Sequence, residues 1–144
     1  MVYVTGDMHG DFERFKLPAM KKLKKGDTLI ICGDFGFLWD GSKEEEESPS
    51  QQELIEGAEN MATYNNIVDI VITHEPSAKV KEFLQMQFTE KSRVTLLNTY
   101  FEELAGAVDY RKWYFGSLHM DKHISATQVA VFTNVLEAWT GKPI

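Results

Sequence analysis

Short apolar runs alternate along the chain with stretches whose apolar residues recur every three or four positions. Continuous runs of β-branched and apolar residues are typical of strands covered on both faces, and the three-to-four spacing is typical of helices. The runs predict strands at 1–4, 29–32, 67–73, 112–115 and 128–133. Because helical segments separate most of these strands, we predict an α/β fold with one mostly parallel sheet flanked by helices, in which 128–133 forms an edge.

The helical spacing predicts helices at 12–23, 50–64, 80–84 and 96–104. Pro18 lies inside the first of these, and we expect it to start or kink the regular part of that helix because proline lacks a backbone donor. The segment Ser48-Pro49-Ser50 is expected to start the second helix, and Asn65 and Asn66 are expected to end it.

Length and charge limit the classes of function. The 144 residues are enough for one domain, so we predict a single domain over 1–144. The balance is acidic, with 22 Asp and Glu against 15 Lys and Arg, which argues against stable nucleic-acid binding because that needs a basic face. No apolar run reaches membrane-spanning length, and the first strand begins at Met1 without room for a signal peptide. We therefore expect a cytoplasmic protein without a membrane partner.

Two further features have alternative interpretations. The acidic run Glu44–Glu47 is expected to be a solvated loop or helix end, and the weaker alternative is a separate cation site. Cys32 lies in an apolar strand, which favours a buried hydrophobe over a reactive thiol.

Several predicted strands end on side chains that bind metals. Asp7 and His9 follow the first strand between Gly6 and Gly10, and this mixture of oxygen and nitrogen suits zinc, manganese or iron better than calcium. An alternative interpretation is a turn in which Asp7 caps the next helix.

The other candidates follow later strands. They are Asp34 after the second strand, His74 after the third and His119 after the fourth. Since open α/β sheets place their sites at the carboxyl ends of strands, we expect these side chains to converge with Asp7 and His9. His123 is instead expected at the surface, with a smaller chance of being a ligand.

Taken in order, four motifs resemble those of the calcineurin-like metallophosphoesterases. They are Gly-Asp-x-His-Gly at 6–10, Gly-Asp-x-Gly at 33–36, Thr-His-x-Pro at 73–76 and Phe-Gly-x-x-His at 115–119. The ordered set is far more specific than any one motif, and the resemblance extends from Met1 to about Trp139. It implies a truncated version of the metallophosphoesterase β-sandwich. It also implies hydrolysis of phosphomonoesters or phosphodiesters with two adjacent divalent ions of manganese, iron, zinc or nickel.

The resemblance assigns roles to individual residues. It implies that Asp7, His9 and His119 bind the first metal, that Asp34 bridges both metals, and that His74 binds the second. The catalytic candidates are then Asp34, as the bridging ligand, and His74, as the only nearby donor of a proton to the leaving group.

The chain departs from the family pattern at two points. It has no Gly-Asn-His-Glu motif, which supplies an asparagine ligand and a proton-donating histidine in the family, and Ser117 stands where the family has another histidine. We therefore expect one well-formed metal site and a second that binds its ion weakly or not at all.

These observations lead to a metal-dependent phosphoesterase as the first hypothesis, a hydrolase of ester bonds whose substrate is a small phosphate ester or phosphodiester and whose activity is reduced. The alternative is a non-catalytic metal-binding scaffold or interaction protein that keeps the fold. A purely structural domain is much the weakest interpretation.

We also predict a homo-oligomer that associates through the stretch around Trp113 or the edge near Val129 and Val131, because a truncated second sheet would leave such surfaces uncovered.

Overall fold

The computed structural model describes residues 1–36, 48–89 and 91–144. These residues form a mixed α/β structure with two sheets, each of which contains both parallel and antiparallel neighbours. The α/β class is therefore confirmed. The acidic run Glu44–Glu47 lies outside the described residues.

The elements follow in a fixed order along the chain. They are β1 (Val2–Thr5), a 3-10 helix (Phe12–Lys16), α1 (Pro18–Lys21), β2 (Thr28–Ile31), α2 (Gln51–Thr63), β3 (Ile67–Thr73), α3 (Ala78–Gln85), α4 (Leu96–Ala107), β4 (Asp109–Phe115), β5 (Lys122–His123), β6 (Gln128–Ala130) and β7 (Leu136–Glu137). One sheet has the order β2-β1-β7 and the other has the order β3-β4-β6-β5.

The prediction of one mostly parallel sheet is wrong. β1 pairs in parallel with β2 but antiparallel with β7, while β6 pairs in parallel with β4 but antiparallel with β5. The prediction that 128–133 forms an edge is also wrong, because β6 lies between β4 and β5. Both errors have the same cause: β5 and β7 have two residues each, which is too short to leave a periodic pattern.

The helix boundaries follow local chemistry. Leu17 separates the 3-10 helix from α1, and Pro18 occupies the first turn of α1, as the sequence predicts. Ser50 and Glu53 form a reciprocal capping box at the start of α2. Asn65 and Asn66 follow that helix with φ of 55° each, a left-handed conformation that asparagine tolerates better than most residues.

The chain divides into two compact units. The first comprises Met1–Trp39, Ile70–Glu75 and Arg111–Ile144, and the second comprises Asp40–Asp69 and Pro76–Tyr110. A single domain over 1–144 stays a prediction. None of the helices in the described ranges is long and apolar enough to cross a membrane.

The first unit has an apolar core to which both sheets contribute. Its buried members are Val4, Cys32, Tyr114, Val129, Val131, Leu136 and Ala138. Burial raises the pKa of the Cys32 thiol to about 12, and its Sγ donates to the Thr5 carbonyl at 3.0 Å. Cys32 is therefore an inert hydrophobe, as the sequence predicts.

The surfaces named for self-association are not available. Trp113 and Val129 are 1% exposed, and Val131 is fully buried. The sequence interpretation was wrong here because these strands lie inside the core of the first unit and not at its margin. Self-association itself stays a prediction.

The second unit has a polar centre. Asn98 of α4 is fully buried, and its amide nitrogen donates to the Pro76 carbonyl at 2.8 Å. Its amide oxygen accepts the Thr95 backbone N–H at 2.9 Å and the Lys81 ammonium at 3.2 Å. These bonds tie the start of α4 to the segment that precedes α3.

Tyr114→Phe tests the hydrogen bond of the Tyr114 hydroxyl inside the apolar core of the first unit. The Tyr114 hydroxyl is buried and donates to the Ala138 carbonyl at 2.8 Å, so its removal takes a donor from a buried acceptor. We expect the free energy of unfolding to fall by about 1–3 kcal/mol in urea denaturation. Tyr64→Phe, at an exposed tyrosine, is the control and should change it by less than about 0.5 kcal/mol. Equal effects of the two substitutions would contradict the prediction.

Candidate metal centre

Asp7 forms the buried floor of the site. It follows β1, its side chain is 1% exposed, and its Oδ1 accepts the Asp34 backbone N–H at 3.1 Å. The neighbouring glycines leave space for the carboxylate: a Cβ on Gly33 would lie 1.3 Å from Oδ1, and one on Gly116 would lie 2.8 Å from it. The packing therefore requires glycine at both positions.

The helix-cap interpretation of Asp7 is wrong. The cap of the 3-10 helix is Asp11, whose side chain accepts the Glu13 backbone N–H at 2.9 Å. The Asp7 side chain instead faces the histidines that follow β1 and β4.

Two imidazoles meet the Asp7 carboxylate at one oxygen. His119 Nε2 lies 2.8 Å from Asp7 Oδ2, and His9 Nε2 lies 3.4 Å from the same oxygen. The two Nε2 atoms are 2.8 Å apart. Both imidazoles are about half exposed, so three donor atoms converge with an open side toward solvent.

The backbone turns that carry these histidines are unusual. His9 has φ of 49° and His119 has φ of 48°, which is the left-handed region. The Met8 and His9 amides both donate to the Asp34 carbonyl, at 2.8 and 3.1 Å, and so fix the first turn against the loop after β2. Gly36 approaches the His9 backbone so closely that a Cβ there would lie 2.8 Å from the His9 Cα.

The second turn is anchored to the end of β3. The Gly116 and Ser117 amides both donate to the His74 carbonyl at 3.0 Å, and the His119 amide donates to the Gly116 carbonyl at 3.2 Å. The ends of β3 and β4 are therefore joined where His74 and His119 leave them.

The structure does not bring every predicted ligand into the same group. Asp34 Oδ2 lies 3.3 Å from Nδ1 of His9, which is the ring nitrogen facing away from Asp7. His74 Nε2 lies 3.6 Å from Asp7 Oδ1, beside the group of Asp7, His9 and His119 but not in it. A bridging role for Asp34 and a ligand role for His74 stay predictions. His123 lies exposed on β5, as expected.

Charge is concentrated at Asp7. Burial alone would raise the pKa of Asp7, but the neighbouring imidazoles of His74 and His119 outweigh burial and hold that pKa below its ordinary value. The Asp7 carboxylate, whose Oδ1 lies 3.6 Å from Nε2, raises the pKa of His74 despite partial burial. The site is therefore built around a buried carboxylate that stays ionised and needs positive charge beside it.

The donor set fits a divalent ion. Ligand atoms about 2.1 Å from a common ion and roughly 85–110° apart are separated by about 2.8–3.4 Å, which is the range found between these three atoms. Asp7, His9 and His119 could therefore hold a metal ion. One carboxylate and two imidazoles suit zinc, manganese, iron or nickel, and three protein ligands leave coordination positions open.

Sequence reasoning missed two residues behind the site. Arg14 is buried, and its Nη1 donates to the Asp7 carbonyl at 2.6 Å. Its Nη2 donates to the Phe132 carbonyl, and the Phe132 ring stacks on the His119 imidazole with centroids 4.9 Å apart. Arg14 could have been identified as a site residue only from its burial, which is unusual for a charged side chain. The sequence pattern of this segment does not reveal that burial.

Comparisons of the chain with known protein families, curated proteins and solved structures found no match. The likeness to metallophosphoesterases therefore depends on the ordered motifs alone.

Gly33→Ala tests the tight packing around Asp7. A Cβ 1.3 Å from Oδ1 would force the carboxylate out of its place, so we expect affinity for Zn²⁺ or Mn²⁺ to fall by at least about tenfold in titration calorimetry. Gly106→Ala is the matched control, because a Cβ at that position meets nothing within 4 Å. Unchanged affinity in Gly33→Ala would contradict the proposed placement of the carboxylate.

His74→Gln tests the charge pairing at Asp7 in protein kept metal-free with a chelator. His74 has a pKa raised above its ordinary 6.5, so its stabilisation is complete below pH 6.5 and is lost as pH rises through the folded-state value. Urea unfolding from pH 5.5 to 9 should show the wild type more stable than the variant at low pH, with a gap that closes at high pH. His123→Gln controls for the substitution itself. A gap that is constant or widens with pH would contradict the pairing.

Proposed function

We propose that the chain is a metal-dependent phosphoesterase that hydrolyses small phosphomonoesters or phosphodiesters. The observation that carries the proposal is the convergence of Asp7, His9 and His119 on one point with an open side. Their order and motifs resemble the metallophosphoesterase pattern, in which the residues at the matching positions bind the first metal.

Each residue has a distinct role in this proposal. Asp7, His9 and His119 bind the ion, and Asp34 faces Nδ1 of His9, which favours a hydrogen on that nitrogen and a lone pair on Nε2. A divalent ion held there would supply positive charge that stabilises the negative charge of the transition state and would make water a better nucleophile.

His74 is the residue suited to proton donation. Its Nε2 lies 3.6 Å from Asp7 Oδ1, and its side chain is half exposed, so it borders the site from the solvent side. It can therefore hold a proton at Nε2 and deliver it to a leaving-group oxygen.

A second ion would find few ligands. Ser117 offers a hydroxyl whose oxygen is buried and forms no hydrogen bond with any described residue. A neutral hydroxyl is a much poorer ligand than the imidazole that the family pattern has at this position. We propose that the second ion binds weakly, so that turnover is slow.

The second candidate function is a metal-binding scaffold that keeps the fold without the chemistry. The observations that favour it are Ser117 and the missing Gly-Asn-His-Glu motif, since both remove ligands or proton donors that the family uses. Self-association of the chain would be compatible with either function.

The test is a hydrolysis screen with manganese. Purified protein is assayed with p-nitrophenyl phosphate and bis-p-nitrophenyl phosphate, with and without Mn²⁺, and its bound metal is measured by elemental analysis. We expect slow hydrolysis that depends on Mn²⁺. Asp7→Asn should abolish both turnover and tight binding, because the buried charge that attracts the ion is removed.

Asp109→Asn is the control, as it removes an exposed carboxylate from the first position of β4. Bound manganese with no turnover of either substrate would overturn the phosphoesterase proposal and favour the scaffold. Absence of any bound ion in saturating Mn²⁺ or Zn²⁺ would overturn both.

A further inference from the structure

Phe132 contacts a proposed metal ligand without being able to bind a metal itself. Its ring stacks on the His119 imidazole with centroids 4.9 Å apart and planes inclined by 21°. The Arg14 guanidinium carbon lies 5.0 Å from the centroid of the same ring. The aromatic ring therefore joins a buried cation to an exposed imidazole.

The Phe132 backbone is held on both sides. Its amide donates to Asp121 Oδ1 at 2.8 Å. Its carbonyl accepts the Gly6 amide at 3.1 Å and also the Arg14 Nη2. With both polar groups engaged, the backbone from which the ring projects is held by the end of β1 and by the loop after His119.

The polar contacts of the His119 ring lie on its Nε2 side, which faces Asp7 and His9. The His119 imidazole is about half exposed, and the His119 backbone adopts the left-handed conformation. Within residues 1–36, 48–89 and 91–144, no hydrogen bond reaches Nδ1 of His119. Metal-binding histidines normally use that second nitrogen to fix their orientation, as His9 can with Asp34.

We propose that Phe132, held in place by Arg14 and Asp121, is a positioning residue that sets the orientation of His119 for metal binding. The stack takes the place of the hydrogen bond that Nδ1 of His119 does not form with any described residue. Arg14 couples this support to the floor of the site, because the same guanidinium donates to the Asp7 carbonyl at 2.6 Å. The inference depends on the metal-binding part of the proposed function and not on hydrolysis.

The experiment uses Co²⁺, whose visible absorption reports coordination geometry. Phe132→Leu keeps an apolar side chain but removes the ring, and Phe132→Tyr retains the stack. Phe101→Leu is the matched control, since Phe101 is also half-buried and its ring lies 5.8 Å from that of Tyr100. Circular dichroism establishes that each variant is folded, and Phe132→Met replaces Phe132→Leu if the latter is not.

We expect Phe132→Leu to weaken Co²⁺ binding by roughly tenfold or more and to change the visible spectrum, because His119 would no longer present Nε2 in one orientation. Phe132→Tyr and Phe101→Leu should retain wild-type affinity and spectrum. A loss of stability alone would leave the spectrum of the bound protein unchanged.

Wild-type affinity and spectrum in Phe132→Leu would overturn the inference and leave the phosphoesterase proposal standing. An equal loss in Phe101→Leu would overturn it as well. Loss in Phe132→Leu, in a protein that hydrolyses neither nitrophenyl substrate, would support the inference while the phosphoesterase proposal fails.

Discussion

The first unit depends on keeping one carboxylate ionised where water cannot reach it. Asp7 is 1% exposed, and burial by itself would favour its neutral form. The charge is retained because His74 and His119 lie beside its oxygens and the Asp34 amide donates to Oδ1. Removing any of these partners leaves the others around a poorly compensated charge, so the contacts around Asp7 depend on one another.

Close backbone packing is what gives Asp7 its place. Gly33 and Gly116 come from the ends of two different sheets, and neither could carry a Cβ without meeting the carboxylate. The backbone is packed as closely at Gly6, where a Cβ would lie 2.1 Å from the Val131 carbonyl oxygen. These glycines let three strand ends pack closely around Asp7. Glycine is therefore needed here for close packing as well as for the turns that it permits.

Much of this arrangement could be predicted from the sequence, but only where local pattern determines structure. The longer strands and the start of α2 next to Ser50 follow from periodicity and helix-start residues, and Asp7, His9 and His119 follow from motifs that end strands. The two mixed sheets could not be predicted, because β5 and β7 are too short to have a period.

Arg14 and Phe132, which support the site from behind, could not be predicted for a different reason. Arg14 and Phe132 are 118 positions apart and meet only in the folded chain. The direction of the Asp34 carboxylate, toward the second nitrogen of His9, likewise depends on how the two loops pack and not on the motif.

The approach of His9 to His119 has a chemical consequence. Two imidazole nitrogens can lie 2.8 Å apart only when one of them carries a hydrogen, since two lone pairs facing each other would repel. A cation that takes both nitrogens as ligands must therefore displace that hydrogen. That hydrogen can pass to Nδ1 of the same ring or to solvent, so ion uptake at this centre is coupled to a change of tautomer or to release of a proton.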